Sequence, residues 1–231
     1  LIDRVKGKLR QPVVAEGRVC YLDPASLNSL ARKYSLYFTL HVEEECDPFA
    51  FNHAVRAAWM KTLRHALALA AAMEMPIVNI HFPKGVYITL PDRKVFLYEK
   101  YSDEFHDALT SFRGMCEEVL QGTATRIAVE NTSGWMSHEQ RAIEFLLESP
   151  VFGLTLDIGH SHGVGNADEP FFRKHDRRLI HMHGHDALGR KNHLALGDGE
   201  IDLRERFSWA KKRKSRMRRR CFRAKSPRRA Q

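Results

Sequence analysis

Four of the thirteen histidines in this 231-residue chain fall between positions 181 and 193, in the stretch LIHMHGHDALGRKNHLALGDGEID. His181, His183 and His185 alternate, which on a strand sets all three on one side and Met182 on the other. His193 stands just ahead of a Gly-Asp-Gly turn. Neutral imidazole is a common metal ligand and a base close to physiological pH. Other residues of the same chemical kind close apolar runs: His41 ends SLYFTLH, His81 ends IVNIH, Glu130 ends RIAVE, Asp157 ends VFGLTLD and His183 ends RLIHMH. His160 follows Asp157 by three positions in LDIGH, so an Asp at a strand end and a His on the next turn can reach one ion. Imidazole plus carboxylate, without thiolate, suits zinc or manganese, with cobalt, iron or magnesium as alternatives. A single His or Asp at a strand end is more often a cap than a ligand. Five from five strands are harder to assign to coincidence.

The elements that must position these residues alternate along the chain. Residues 35–41 are β-branched and aromatic, and 77–81, 126–130, 151–157 and 178–183 are continuous apolar runs. Such runs mark strands buried on both faces, as in a parallel sheet covered by helices. Asp47-Pro48 reads as a helix start, followed by Val55, Trp59, Leu63, Ala66, Leu67 and Ala70 at helical spacing up to Pro76. VYITLPDRKVFLY alternates around a Pro-Asp turn and predicts a hairpin. Ser102 opens a helix through Phe105, Leu109, Phe112, Cys116 and Leu120 that Gly122 closes, and Ser137 with Gln140 predicts a capping box. In a (β/α) barrel the C-terminal strand ends meet at one mouth, where catalysis sits. An open doubly wound sheet gathers function at the same ends, but no glycine-rich phosphate loop follows any strand here.

Charge separates a body from a tail. Residues 207–231 hold 12 of the 37 Lys and Arg and no acid, which leaves 25 basic against 28 acidic residues in the first 206. The body is mildly acidic, so any nucleic-acid affinity is expected from the tail alone. The abrupt change in composition predicts a disordered basic extension or a frameshifted segment over 207–231. Cys20, Cys46, Cys116 and Cys221 form no CxxC pair, which points to a reducing, cytoplasmic setting and away from thiolate-bound zinc. No apolar run approaches the ~18 residues of a membrane span.

IAVENT, LTLDIGHSHG and IHMHGHDALGRKNHLALGDGEID, in this order, resemble the xylose-isomerase-like TIM-barrel superfamily, over roughly residues 35–205. That group holds sugar and sugar-phosphate isomerases and epimerases, and the endonuclease IV type of abasic-site nuclease. The resemblance implies an α/β fold of the (β/α)8 TIM-barrel type. It implies metal ligation by Glu130, Asp157, His160, His183 and His193, with Asp186 as the partner of His183. From the nuclease branch it adds His41 and His81. His185 is expected to support a ligand or to touch substrate, and Lys84 and Arg190 are candidates for a substrate phosphate.

Four departures qualify the match. Lys191 and Asn192 stand where the nuclease has an Asp ahead of its His, and HVEEECDP after His41 is too acidic to suit a phosphate backbone. The family's closing strand ends in Glu, whereas no acid follows Glu205. A first strand is also unclear, with VVAEGRVCYL as its remnant. The expected barrel is therefore incomplete, spanning 1–206 as one metal-binding domain. The resemblance implies a sugar isomerase or epimerase working by proton transfer through a metal-stabilised enediolate, with Glu130 as the surviving acid/base. Abasic-site cleavage, or an inactive shortened relative, is the alternative.

Overall fold

The computed structural model describes residues 12–15, 18–21, 24–214 and 223–224, with side chains over 24–211. In chain order the elements are β1 (Pro12–Ala15), β2 (Arg18–Tyr21), α1 (Pro24–Tyr34), β3 (Leu40–His41), α2 (His53–Ala72), β4 (Ile77–His81), β5 (Tyr87–Thr89), β6 (Lys94–Phe96), α3 (Leu97–Lys100) and α4 (Ser102–Leu120). They continue as β7 (Arg126–Glu130), α5 (Ser137–Leu147), β8 (Phe152–Asp157), α6 (Ile158–Gly163), α7 (Glu169–Lys174), β9 (Leu179–Gly184), β10 (Asp186–Leu188), β11 (Lys191–Leu194), α8 (Leu203–Lys214) and β12 (Arg223–Ala224). The chain divides into two compact units, residues 1–127 with 141–152, and residues 128–140 with 153–231.

In the first unit β3 and β4 pair in parallel, with Leu40 opposite Val78 and His41 opposite Asn79. The predicted strand over 35–41 shrinks to its last two residues. Ser35 takes a left-handed backbone at the end of α1, and Leu36 and Tyr37 remain exposed. The helix expected from Asp47-Pro48 begins later. The Asp47 carboxylate is taken by the Phe49 N–H (3.0 Å) and the Tyr98 hydroxyl (2.5 Å), and Asn52 caps α2 through Ala54 and Val55. Leu63, Ala66, Leu67 and Ala70 of the predicted stripe are buried, while Val55 at its start is exposed. α4 keeps its predicted bounds with all five stripe residues buried. β5 and β6 form the expected antiparallel hairpin around Pro91-Asp92. The remnant of a first strand is instead an antiparallel hairpin, β1 with β2, in which Pro12 faces Tyr21. Phe49 centres an aromatic cluster with Phe82, Tyr98, Phe105 and Phe112. Burying such a ring contributes about 1.5–3 kcal/mol.

In the second unit the strand order is β7-β8-β9-β12. β8 and β9 are parallel and irregular: Leu154 faces Leu179, but Thr155 faces His181 and Asp157 faces His183. Ile180 is thus an extra residue on β9, a bulge. Gly153 makes room for it, since a Cβ there would lie 2.6 Å from Ile180 Cδ1 and 2.9 Å from the Arg178 carbonyl. The N-terminus of α5 differs by one position from the predicted capping box. Glu139, not Gln140, reaches back to the Met136 N–H at 2.6 Å, so Met136 is the cap. α8 crosses the expected boundary at 206. Trp209 and Ala210 are buried, and Arg206 pairs with Glu169 of α7 at 2.6 Å. The remainder of the predicted basic tail, residues 215–231, lies outside the described residues except for the backbone of β12. That short strand runs parallel to β9 in the place of an altered closing strand, with Arg223 opposite His183. Among the described residues no helix is long and apolar enough to cross a membrane.

Candidate metal centre

In the first unit His41 and His81 end adjacent parallel strands, and their rings meet edge to face with centroids 4.9 Å apart. Lys84 is half-buried in the loop after β4.

The other expected ligands come together in the second unit, and each is placed by a strand end. Glu130 closes β7 at 1% exposure and Asp157 closes β8 at 2%. Asp157 also caps α6, accepting the His160 N–H on Oδ1 at 2.8 Å, which swings the His160 ring back over the strand ends. The His160 Nδ1 lies 3.7 Å from Glu130 Oε1 and 3.8 Å from Asp157 Oδ2. The bulge at Ile180 sets His183 beside Asp157, and its Nδ1 donates to Glu130 Oε1 at 2.8 Å. Ligand atoms of Glu130, Asp157 and His160 lie within 4.8 Å of one another, a spacing that can hold one ion.

Electrostatics here are those of buried carboxylates sharing imidazoles. Burial by itself would raise the Asp157 carboxyl, but the facing His183, His185 and His160 rings outweigh it and hold Asp157 at about 2. Burial by itself would lower His183, yet the Asp157 and Glu130 carboxylates push it up to about 9. A protonated His183 thus supplies positive charge between two acids, the task a cation would take over on binding.

A second group, His160, His185 and His193, also meets the spacing for an ion. His185 is buried and faces Asp157, with Nε2 at 2.8 Å from Oδ1 and 3.0 Å from Oδ2. Its Nδ1 accepts the His193 backbone N–H at 2.9 Å, and the two rings stack with centroids 4.2 Å apart. His193 sits on β11 in a left-handed backbone and is exposed. Asp186 faces its own loop. Burial raises its carboxyl, but the N–H groups of Ala187 (2.9 Å), Gly197 (2.9 Å) and Ile201 (3.2 Å) hold it below the usual range. It shapes the turn behind His193. Arg190 is exposed at the tip of the β10–β11 hairpin.

Sequence reasoning missed Asn131. Fully buried, it bridges two strand ends: its Nδ2 donates to the Asp157 carbonyl at 3.1 Å, and its Oδ1 accepts the Asp157 N–H at 2.8 Å. Its own carbonyl lies 3.1 Å from His160 Nδ1. The only signal for it was its place directly after the strand-end Glu. Missed as well was Glu200, which accepts the Gly189 N–H at 2.7 Å and pairs with His162 at 2.8 Å.

Comparison with known proteins agrees with this architecture. An uncharacterised protein of Methanocaldococcus jannaschii, MJ1311, is 27% identical over 207 residues, spanning 84% of this chain and 67% of the relative. Among solved structures, a D-tagatose 3-epimerase-like protein matches with a TM-score of 0.64 at 24% identity, over 82% of this chain and 72% of that one. The IolI protein with a bound zinc atom gives 0.54 at 14%, over 80% and 68%. Endonuclease IV from Thermus thermophilus gives 0.51 at 18%, over 82% and 74%. These likenesses show the fold. With a family model described as xylose isomerase-like TIM barrel matching residues 12–216, the chain belongs to that family.

Proposed function

We propose that this protein is a metal-dependent sugar or sugar-phosphate isomerase or epimerase, acting on a small cytoplasmic substrate by proton transfer between adjacent carbons. The observation that carries the reading is the pair of buried carboxylates, Glu130 and Asp157, gathered with His160 and His183 at neighbouring strand ends. Two acids at 1% and 2% exposure are costly unless positive charge accompanies them. Carboxylate oxygens and imidazole nitrogens are the donor set of zinc or manganese, with cobalt, iron and magnesium as lesser fits. A bound cation would polarise a substrate carbonyl and so acidify the neighbouring C–H.

The chain's own residues supply the rest. Asp157, held ionised, is fixed for ligation by the His160 N–H and the His185 ring. Glu130 is the carboxylate placed to take up and return a proton, with His183 Nδ1 at 2.8 Å to steady one oxygen. Residues 206–231 contain no acid, and in this reading acid/base work is assigned to Glu130. The free thiols of Cys46 and Cys116 accord with a reducing compartment. A second reading, cleavage of abasic DNA, draws on the His41–His81 pair and the contact of His160 with His193 at 5.4 Å. The acidic Glu43–Glu44–Glu45 run beside His41 opposes it.

Metal analysis and a substrate panel test the proposal. Glu130→Ala and His183→Ala should each cut metal occupancy by about tenfold or more, and unchanged content in both would overturn the site. Metal-dependent nicking of abasic duplex, with no interconversion of any sugar offered, would promote the second reading.

A further inference from the structure

His185 belongs to a group whose spacing admits a metal ion, yet its hydrogen bonds describe another role. The His193 backbone N–H can only donate, so the Nδ1 that it meets at 2.9 Å carries a lone pair. The Asp157 carboxylate can only accept, so the Nε2 facing both of its oxygens carries the proton. Both nitrogens are therefore committed: the one lone pair, on Nδ1, is directed at the His193 N–H and not at an ion, while the Asp186 carbonyl stands farther from that nitrogen, at 3.4 Å. The ring is 5% exposed and lies flat against His193, with an interplanar angle of 16°. The ring also abuts Gly159, where a Cβ would stand 1.9 Å from Cε1 and 2.2 Å from Nδ1. Position 159, on the first turn of α6, thus has no side chain where one would displace this imidazole.

We infer that His185 is a positioning residue and not a ligand: a neutral Nε2–H imidazole, seated on Gly159, that ties the Asp157 carboxylate to the backbone of His193. This rests on the reading of Glu130, Asp157, His160 and His183 as the metal centre. The consequence is a mechanical link between the end of β8 and the β10–β11 hairpin. The imidazole N–H fixes the rotation of the Asp157 carboxylate, and so which oxygen is presented toward His183 and His160. Outer partners of this kind orient a ligand and typically alter metal affinity by about 10–100-fold when removed. Gly159 is part of the same device. Gly159→Ala should displace the ring as surely as deleting it, although it removes no polar group.

Two measurements on the full chain test this. Long-range 1H–15N spectra of the metal-free protein should show His185 as the Nε2–H tautomer. The Nδ1–H tautomer or an imidazolium at neutral pH would overturn the inference. Titration with Co2+, followed by its visible spectrum and by stoichiometry, gives the second readout. His185→Ala and Gly159→Ala should each weaken Co2+ binding by about tenfold or more and change the spectrum, at unaltered stoichiometry. His185→Gln, which can still reach Asp157 with an N–H, should restore most of the spectrum. If His185→Ala loses a second equivalent of Co2+ and leaves the first spectrum intact, His185 is a ligand and the inference falls. If the unsubstituted protein binds Co2+ but His185→Ala binds it identically, the inference falls while the metal centre stands. If the unsubstituted protein binds no Co2+, both fall.

Discussion

Replacing Asn131 by alanine removes the side chain that joins the ends of β7 and β8, and the structure allows its cost to be worked out. Asn131 is fully buried, and its amide meets the Asp157 backbone twice, at 2.8 and 3.1 Å. Each such bond contributes roughly 1 kcal/mol net, but a buried backbone group left without its partner costs about 1–3 kcal/mol. Asp157 would keep both its N–H and its carbonyl in a site too enclosed for ready hydration. Some relaxation is expected, so we predict a loss of about 2–4 kcal/mol. In urea unfolding, with a slope of ~2–3 kcal/mol/M for a chain of this size, that is a midpoint lower by about 1 M. Asn131→Asp sharpens the test. It keeps an acceptor for the Asp157 N–H but turns an anionic oxygen toward the Asp157 carbonyl, near two further carboxylates. It should be at least as damaging as alanine at pH 7. The folded pKa of the introduced acid lies above its unfolded value, so stability should recover as pH falls through that folded value and a donor returns. An alanine variant within about 0.5 kcal/mol of the parent, or an aspartate variant equal to it at pH 7, would refute the account of Asn131 as a brace.

Three further outcomes follow from the geometry. Metal binding needs neutral His183, which sits at about 9 in the metal-free protein, so Zn2+ affinity measured by chelator competition should rise about tenfold per pH unit from 7 to 9 and level off above. The same shift, upward from the ordinary value of 6.5, stabilises the metal-free fold fully below that value and is lost as pH rises through about 9; an affinity flat from pH 7 to 9 would contradict both statements. Gly153→Val should overfill the space taken by Ile180 and cost about 1–3 kcal/mol by thermal or urea unfolding, with weaker metal binding because the bulge sets His183; an unperturbed variant would show that the bulge does not depend on that space. A chain ending at Lys214 keeps α8 and its buried Trp209 but sheds eight of the basic residues, so salt-sensitive binding to random duplex should disappear; binding that survives and resists salt would place nucleic-acid recognition in the body.

Much of the site was legible in the sequence because its residues terminate patterns with a local cause. Continuous apolar runs specify buried strands, and β4, β7 and the Asp157 end of β8 fall where those runs stop. The helical stripe of α4 and the hairpin turn between β5 and β6 follow from spacing and turn chemistry alone. Where local signals competed, the reading slipped. Asp47-Pro48 looked like a helix start, but its carboxylate was claimed by Phe49 and by the distant Tyr98. The basic run that follows concealed Arg206, Trp209 and Ala210, which share one buried face of α8 at i, i+3 and i+4 spacing, a stripe too short and too hemmed in by Lys and Arg to stand out in the sequence.

The sequence by itself determined which residues lie at the strand ends: Glu130 and Asp157 close β7 and β8, and His183 stands one residue before the end of β9, because apolar runs give way to polar residues there. It could not determine which face each presents. Had Leu154–Leu179 pairing continued without a break, His181 would have fallen beside Leu156, on the face opposite Asp157. The extra residue at Ile180 shifts β9 by one and brings His183 beside Asp157. Side chains alternate with a period of two, so a single inserted residue reverses every one that follows. That choice depends on the space above Gly153, which lies on another strand. The roles of Asn131 and His185 were hidden for the same reason: their partners, Asp157 and the backbone of His193, are neighbours only once the strands have been brought together in register.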